Sequence, residues 1–185
     1  MHNYSNPPPE EIARLNALRK LKILDSPYES LFDTITSAAS ELCRTPIALI
    51  SFVDEDCQWF KSKIGIDGVS ETPRELAFCT HTILSKEILE VTDTHLDERF
   101  KNNPLVLGSP NIRFYAGASI SLPLGERVGT LCVIDTLPNQ LNEFQKVGLE
   151  GLARVISQAL IIREYNLKAK HGKSSMKIYE GIKPL

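Results

Sequence analysis

The run from Phe114 to Thr136, FYAGASISLPLGERVGTLCVIDT, constrains the fold more than any other part of the chain. It reads as two β-strands joined by a tight turn, with Leu124-Gly125-Glu126-Arg127 as a glycine-containing hairpin connection. Side chains alternate between the faces of a strand, so Phe114, Ala116, Ala118 and Ile120 share one face of the first strand. On the second strand Leu131, Val133 and Asp135 oppose Val128, Thr130, Cys132 and Ile134. Strands favour bulky, β-branched residues, so Ala116, Gly117 and Ala118 in succession mark a place where something lies close to the backbone.

The rest of the chain supplies layers for this sheet. Ile12, Leu15, Leu18 and Leu21 fall at helical spacing within Glu10–Leu24, and Asp25-Ser26-Pro27 breaks the pattern. A second helix is predicted over Pro27–Arg44, with Ser26 as N-cap, Pro27 at its start and Glu29 completing a capping box. Two strands follow, Pro46–Asp54 and Cys57–Gly65, separated by the polar turn Asp54-Glu55-Asp56. Residues 66–112 are irregular, with a helical patch near Cys79–Leu84, a brief strand at Ile88–Thr92 and a long polar loop at Asp97–Asn111. A loop of that length inside a compact domain is usually functional. A last helix starts near Asn142, where Asn142 and Gln145 fit a second capping box. Its apolar face is Leu149, Leu152, Val155, Ile156, Ala159 and Leu160, and past Leu167 the pattern fades. Short turns between successive strands imply antiparallel pairing, hence an α+β fold: a central antiparallel sheet, helices on one face, and the irregular segment over the other.

Composition narrows the function. The chain has 185 residues, 42% hydrophobic and 24% charged, ordinary values for a single globular domain. A net charge of −2 gives no electrostatic case for nucleic acid or an anionic membrane. The N-terminus has no apolar core of a signal peptide, and no apolar run approaches bilayer length, so a cytoplasmic location is expected. The four cysteines, Cys43, Cys57, Cys79 and Cys132, form no CxxC pair, which argues against a disulfide or zinc framework.

Several segments together resemble the GAF domains found ahead of histidine kinases and diguanylate cyclases in bacterial signalling proteins. They are ALRKLKILDSPYESLFDTIT, PIALISFVDEDCQWFKSKIGI, TPRELAFCTHTIL, VTDTHLDERFKNNPLV, IRFYAGASI and GTLCVID, in order along the chain. The resemblance runs from Ala17 to about Ile162 and implies a GAF-like domain, which the flanking helical pattern extends to residues 10–167, with a flexible tail expected at 1–9 and another at 168–185. It implies a non-catalytic sensory role: binding an unknown small molecule or partner and relaying the signal through the terminal helices, as a homodimer, to a histidine kinase or diguanylate cyclase. It also implies a stand-alone sensor or one part of a longer one. No cofactor is expected. Carried over by position, the pocket residues are Trp59, Phe78, Cys79, His81, Phe100, Phe114 and Ala116. The turn LPLGERVG is short against the family pattern.

Bland readings compete with sharper ones. Cys79-Thr80-His81 puts a thiol near an imidazole, but residues two apart on a helix diverge, so Cys79 reads as a buried structural cysteine. Bilin-binding GAF domains attach their chromophore to a Cys followed directly by His, and here Thr80 intervenes. Free methionine-R-sulfoxide reductases are stand-alone GAF enzymes of this size and form the alternative reading. They need a resolving thiol, and the loop Thr94–Arg113 contains none. A ligand-free interaction module is the third. His81, Asp93 and His95 could serve a metal, but their spacing says nothing for it, and no metal is expected. Arg74, Asp93, Arg99, Asn103 and Arg113 read as a polar network that pins the irregular segment, whose backbone groups need partners. Neither a cyclic-nucleotide signature nor a phosphate-binding glycine loop is present.

Overall fold

A computed structural model describes residues 7–180, with side chains through Lys170. Helices α1 (Pro9–Lys20) and α2 (Ser30–Cys43) precede strands β1 (Ile47–Val53) and β2 (Cys57–Ile64). The middle segment holds β3 (Glu71–Pro73), the short helix α3 (Cys79–Thr82), β4 (Leu89–Val91) and the single turn α4 (Pro104–Leu107). Strands β5 (Phe114–Ser121) and β6 (Arg127–Asp135) and the long helix α5 (Glu143–Glu180) complete the chain. The strands form one six-stranded sheet in the order β3-β2-β1-β6-β5-β4, and every pairing is antiparallel. The α+β architecture read from the sequence is the one observed.

The sheet separates two cores. One lies against α1, α2 and α5 and contains Leu18, Phe32, Ile35, Ile50, Phe52, Leu131, Leu149 and Ile156. The other lies under the middle segment and contains Leu49, Phe78, Phe100, Ile112, Tyr115, Cys132 and Ile134. The long runs of apolar residues in β1, β5 and β6 follow from this, since a strand buried on both faces loses polar alternation.

Local chemistry sets several boundaries differently from the expectations. Helix α1 stops at Lys20 because Lys22 and Asp25 take positive φ. Helix α2 begins at Ser30 with Glu29 as its N-cap residue, and Glu29 makes no capping bond there. Ser26 and Glu29 are instead recruited by Lys61, whose side chain is nearly inaccessible: its Nζ lies 2.7 Å from Ser26 Oγ and 2.8 Å from Glu29 Oε1. Glu29 is also 2.9 Å from Arg163 of α5. A buried ammonium needs such partners, and that requirement outweighs the local capping preference. At α5 the expected box does form: the Asn142 amide donates to Gln145 Oε1 (3.0 Å) and the Gln145 amide to Asn142 Oδ1 (2.9 Å). Helix α5 runs on to Glu180, beyond the point where its apolar pattern fades and into the expected 168–185 tail. The expected 1–9 tail falls mostly outside the described residues, and its last residue, Pro9, opens α1.

Helix α5 packs on α2, where Gly148 sits so close to Leu42 that an added Cβ would come within 2.5 Å of Leu42 Cδ2. Two β-bulges break the strict period of two. One lies at Ile50/Ser51 of β1 and one at Ile120/Ser121, opposite Val128. The second turns Val128 toward the helices with Leu131 and Val133, away from Cys132 and Ile134.

Candidate functional site

Beneath the middle segment the second core leaves a cavity of about 290 Å3. Its floor is Leu49 of β1, Gln58 and Phe60 of β2, Tyr115 of β5, and Cys132 and Ile134 of β6. Ile66, Val69, Ala77, Phe78, Leu105 and Ile112 close over it. Among the described residues that line it only Asp67 is charged, and Asp67 is exposed.

The strand residues that face this cavity are the neighbours of those expected. Phe114 and Ala116 are fully buried on the opposite face, in the core shared with the helices. Trp59 packs partly against that same helix-side core, with Lys61 Nζ 6.0 Å from its ring centroid. Tyr115 and Gly117 occupy the cavity face instead. Gly117 makes room for Tyr115 itself: a Cβ there would lie 2.3 Å from the Tyr115 hydroxyl and 3.0 Å from Thr82 Oγ1. The small residues in β5 therefore serve two layers, Ala116 the helices and Gly117 the docking of α3 through Tyr115.

Phe78 and Cys79 do line the cavity. Phe78 stacks on Phe100 with ring centroids 4.1 Å apart and leans on Tyr115 at 5.1 Å. Phe100 is thus buried one layer further out, behind Phe78. His81 lies on the exposed side of α3, edge-on to Phe100 at 4.9 Å, and is no part of the cavity wall. Burial, with the Arg99 charge nearby, pushes its pKa down.

Cys79 enters a buried polar cluster. Ser51 Oγ and the Tyr115 hydroxyl each donate to its sulfur at 3.4 Å, and Tyr115 is 2.6 Å from Thr82 Oγ1. Cys132 Sγ lies 3.9 Å away. Burial opposes ionisation of Cys79, but hydrogen bonds from Cys132, Ser51, Thr130 and Tyr115 outweigh it and lower its pKa to about 6. That hydrogen bond to Cys79, with burial, holds Cys132 protonated. A second thiol within reach thus comes from β6 rather than from the loop at 94–113, and only the register of a distant strand could have revealed it.

The polar residues of the middle segment form separate clamps rather than one network. Arg74 donates to Glu11 Oε1 of α1 (2.7 Å) and to the Asp54 carbonyl (3.0 Å). Arg113 grips Asp93 with two hydrogen bonds of 3.0 and 2.7 Å, and Arg99 does the same to Asp97 at 2.9 and 2.6 Å. Asn103 caps α4 through the Leu105 amide and donates to the Leu76 carbonyl, both at 2.9 Å. Among the described residues no three His, Cys, Asp or Glu side chains gather in a metal-binding group.

The architecture is an antiparallel sheet with helices on one side and, on the other, a partly open pocket under an irregular cover. The family model for the GAF domain matches residues 27–160, and the chain belongs to the GAF family. It is 43% identical over 150 residues to a cyclic di-GMP phosphodiesterase of Pseudomonas aeruginosa. That match covers 80% of this chain and 25% of the relative, so the chain spans about a quarter of that protein's length. Among solved structures it is similar in fold to the GAF domain of an Acinetobacter phosphoenolpyruvate-protein phosphotransferase, with a TM-score of 0.58 and 16% identity over 80% of this chain and 93% of that one. It is similar also to the free methionine-R-sulfoxide reductase of Neisseria meningitidis, with a TM-score of 0.59 and 13% identity over 90% of this chain and 99% of that one. No helix among the described residues is long and apolar enough to cross a membrane.

Proposed function

We propose that this GAF domain is a cytoplasmic sensory domain of a bacterial signalling system, without chemistry of its own, that holds a small molecule under residues 66–112 and relays its presence through α5. The observation that carries this reading is the cavity of about 290 Å3 between the sheet and its cover, near the lower end of the size range of small-molecule sites. The likeness to part of a cyclic di-GMP phosphodiesterase supports an effector that turns over cyclic di-GMP, with a histidine kinase as the other candidate. Native mass spectrometry of the freshly purified chain tests the reading. A bound species should appear in the wild type and vanish in Ala77→Phe, which fills the cavity; bare polypeptide in both would overturn it.

Dimerisation belongs to the same reading, through the exposed side of α5 rather than its buried apolar face. Leu15, Leu18, Leu149, Ile156 and Leu160 are spent on the protein's own core. Phe144, Val147, Val155, Ile162 and Tyr165 are exposed and share the opposite side of α5. A second copy of the chain is the proposed occupant of that stripe.

A thiol reductase is the second reading, favoured by the 3.9 Å separation of Cys79 and Cys132 sulfurs. The lining speaks against it. Free methionine sulfoxide carries an ammonium and a carboxylate, and a carboxylate in such a pocket needs a cationic or dense hydrogen-bonding partner. No Lys, Arg or His is among the described lining residues.

A further inference from the structure

Gln58 stands out among the polar groups of the cavity wall. It is 4% exposed, lines the cavity, and its Oε1 has no hydrogen-bond partner among the described residues. A buried polar atom left unpaired is costly, and such atoms in folded proteins usually await a water or a ligand. Of the other buried polar side chains in the lining, Tyr115 is engaged with Thr82 and Cys79, and Cys79 with Ser51; the lining also holds the hydroxyls of half-buried Thr72, paired with Gln58 across β2 and β3, and of exposed Ser109. The walls opposite are Ile66, Val69, Phe78 and Leu105.

Resting on the sensory reading above, we infer that the cavity takes an uncharged, largely apolar molecule with one hydrogen-bond donor, and that the donor is received by Gln58 Oε1. Size is bounded by volume: about 290 Å3 lies near the lower end of small-molecule sites. Charge follows from the lining. An anion would find no cation there, and a cation would find only Asp67 at the exposed rim. Specificity follows from Gln58, since a molecule of equal shape without the donor leaves the same oxygen buried and unpaired.

Calorimetric titration with three probes tests this on the full chain: indole, 1-methylindole and indole-3-carboxylate. Indole should bind saturably, and 1-methylindole about tenfold more weakly, because it lacks the N–H. The carboxylate should not bind. In Gln58→Leu the two neutral probes should become equal, while Ala77→Phe should abolish binding of both. Circular dichroism identifies any variant that fails to fold, and indole against 1-methylindole on the wild type still decides the issue without variants. Equal affinity of these two for the wild type, or tighter binding of the carboxylate, would overturn the inference. A charged natural ligand detected in the pocket by native mass spectrometry would overturn this ligand class while leaving the sensory reading intact. Bare protein that binds none of the probes would overturn both.

Discussion

Tyr115 is the residue on which the cavity side of the sheet turns. Its ring lies over Gly117, its hydroxyl bonds Thr82 of α3, and its far side meets Phe78. Gly117→Ala should therefore destabilise the domain by about 1–3 kcal/mol in urea unfolding, because the new Cβ collides with the Tyr115 ring. In a Tyr115→Leu background the same change should cost less, since the collision partner is gone. Additive costs would place the role of Gly117 elsewhere. Cys79 offers a second check at this scale. Its thiol should ionise below the ordinary cysteine range, read as thiolate absorbance that is absent from Cys79→Ser. A thiolate signal that rises only where a free cysteine titrates would contradict the hydrogen-bond arrangement around that sulfur.

Among the elements, α1 is tied to the cover by Glu11, which accepts from Arg14 Nε at 2.8 Å and from Arg74 Nη1 at 2.7 Å. Burial pushes the Glu11 pKa up, but these two arginines outweigh it and hold it at about 2. The sign follows from linkage: a carboxylate whose folded pKa is depressed contributes stability that is full above the ordinary value near 4.5 and lost as pH falls toward 2. Urea midpoints should fall across that window more steeply in the wild type than in Glu11→Gln, and parallel curves would contradict the clamp. For α5, Val155→Glu with Ile162→Glu should shift sedimentation toward monomer without altering the urea midpoint, because both side chains are exposed in the protomer. A sedimentation profile unchanged by this pair of charges would remove α5 as the dimer contact. The sequence made these elements legible to unequal degrees. The Asn142–Gln145 box was readable because each partner is local. The start of α2 was not, because Ser26 and Glu29 answer to Lys61 on β2 and Glu29 also to Arg163 on α5, neither of them neighbours in sequence.

At the scale of the whole molecule, element order and antiparallel pairing could be read from the chain, but the side of the sheet that holds the cavity could not. Strands β5 and β6 are apolar on both faces, so periodicity separates Phe114 and Ala116 from Tyr115 and Gly117 without telling which pair faces the cover. Tertiary packing decides it, just as it decides that the thiol beside Cys79 comes from β6. If the cavity serves binding alone, NADPH consumption coupled through thioredoxin with free methionine-R-sulfoxide should equal the blank. A rate that disappears in Cys79→Ser would instead favour thiol chemistry. The placement of empty space is tested most directly by one pair of urea unfolding curves, for Ala116→Phe and Ala77→Phe. Ala116 faces a filled helix-side core and Ala77 lines the cavity, so Ala116→Phe should lose about 1–3 kcal/mol while Ala77→Phe stays within about 1 kcal/mol of wild type. A stable Ala116→Phe together with a strongly destabilised Ala77→Phe would contradict the account, because it would put the free volume on the helix side of the sheet.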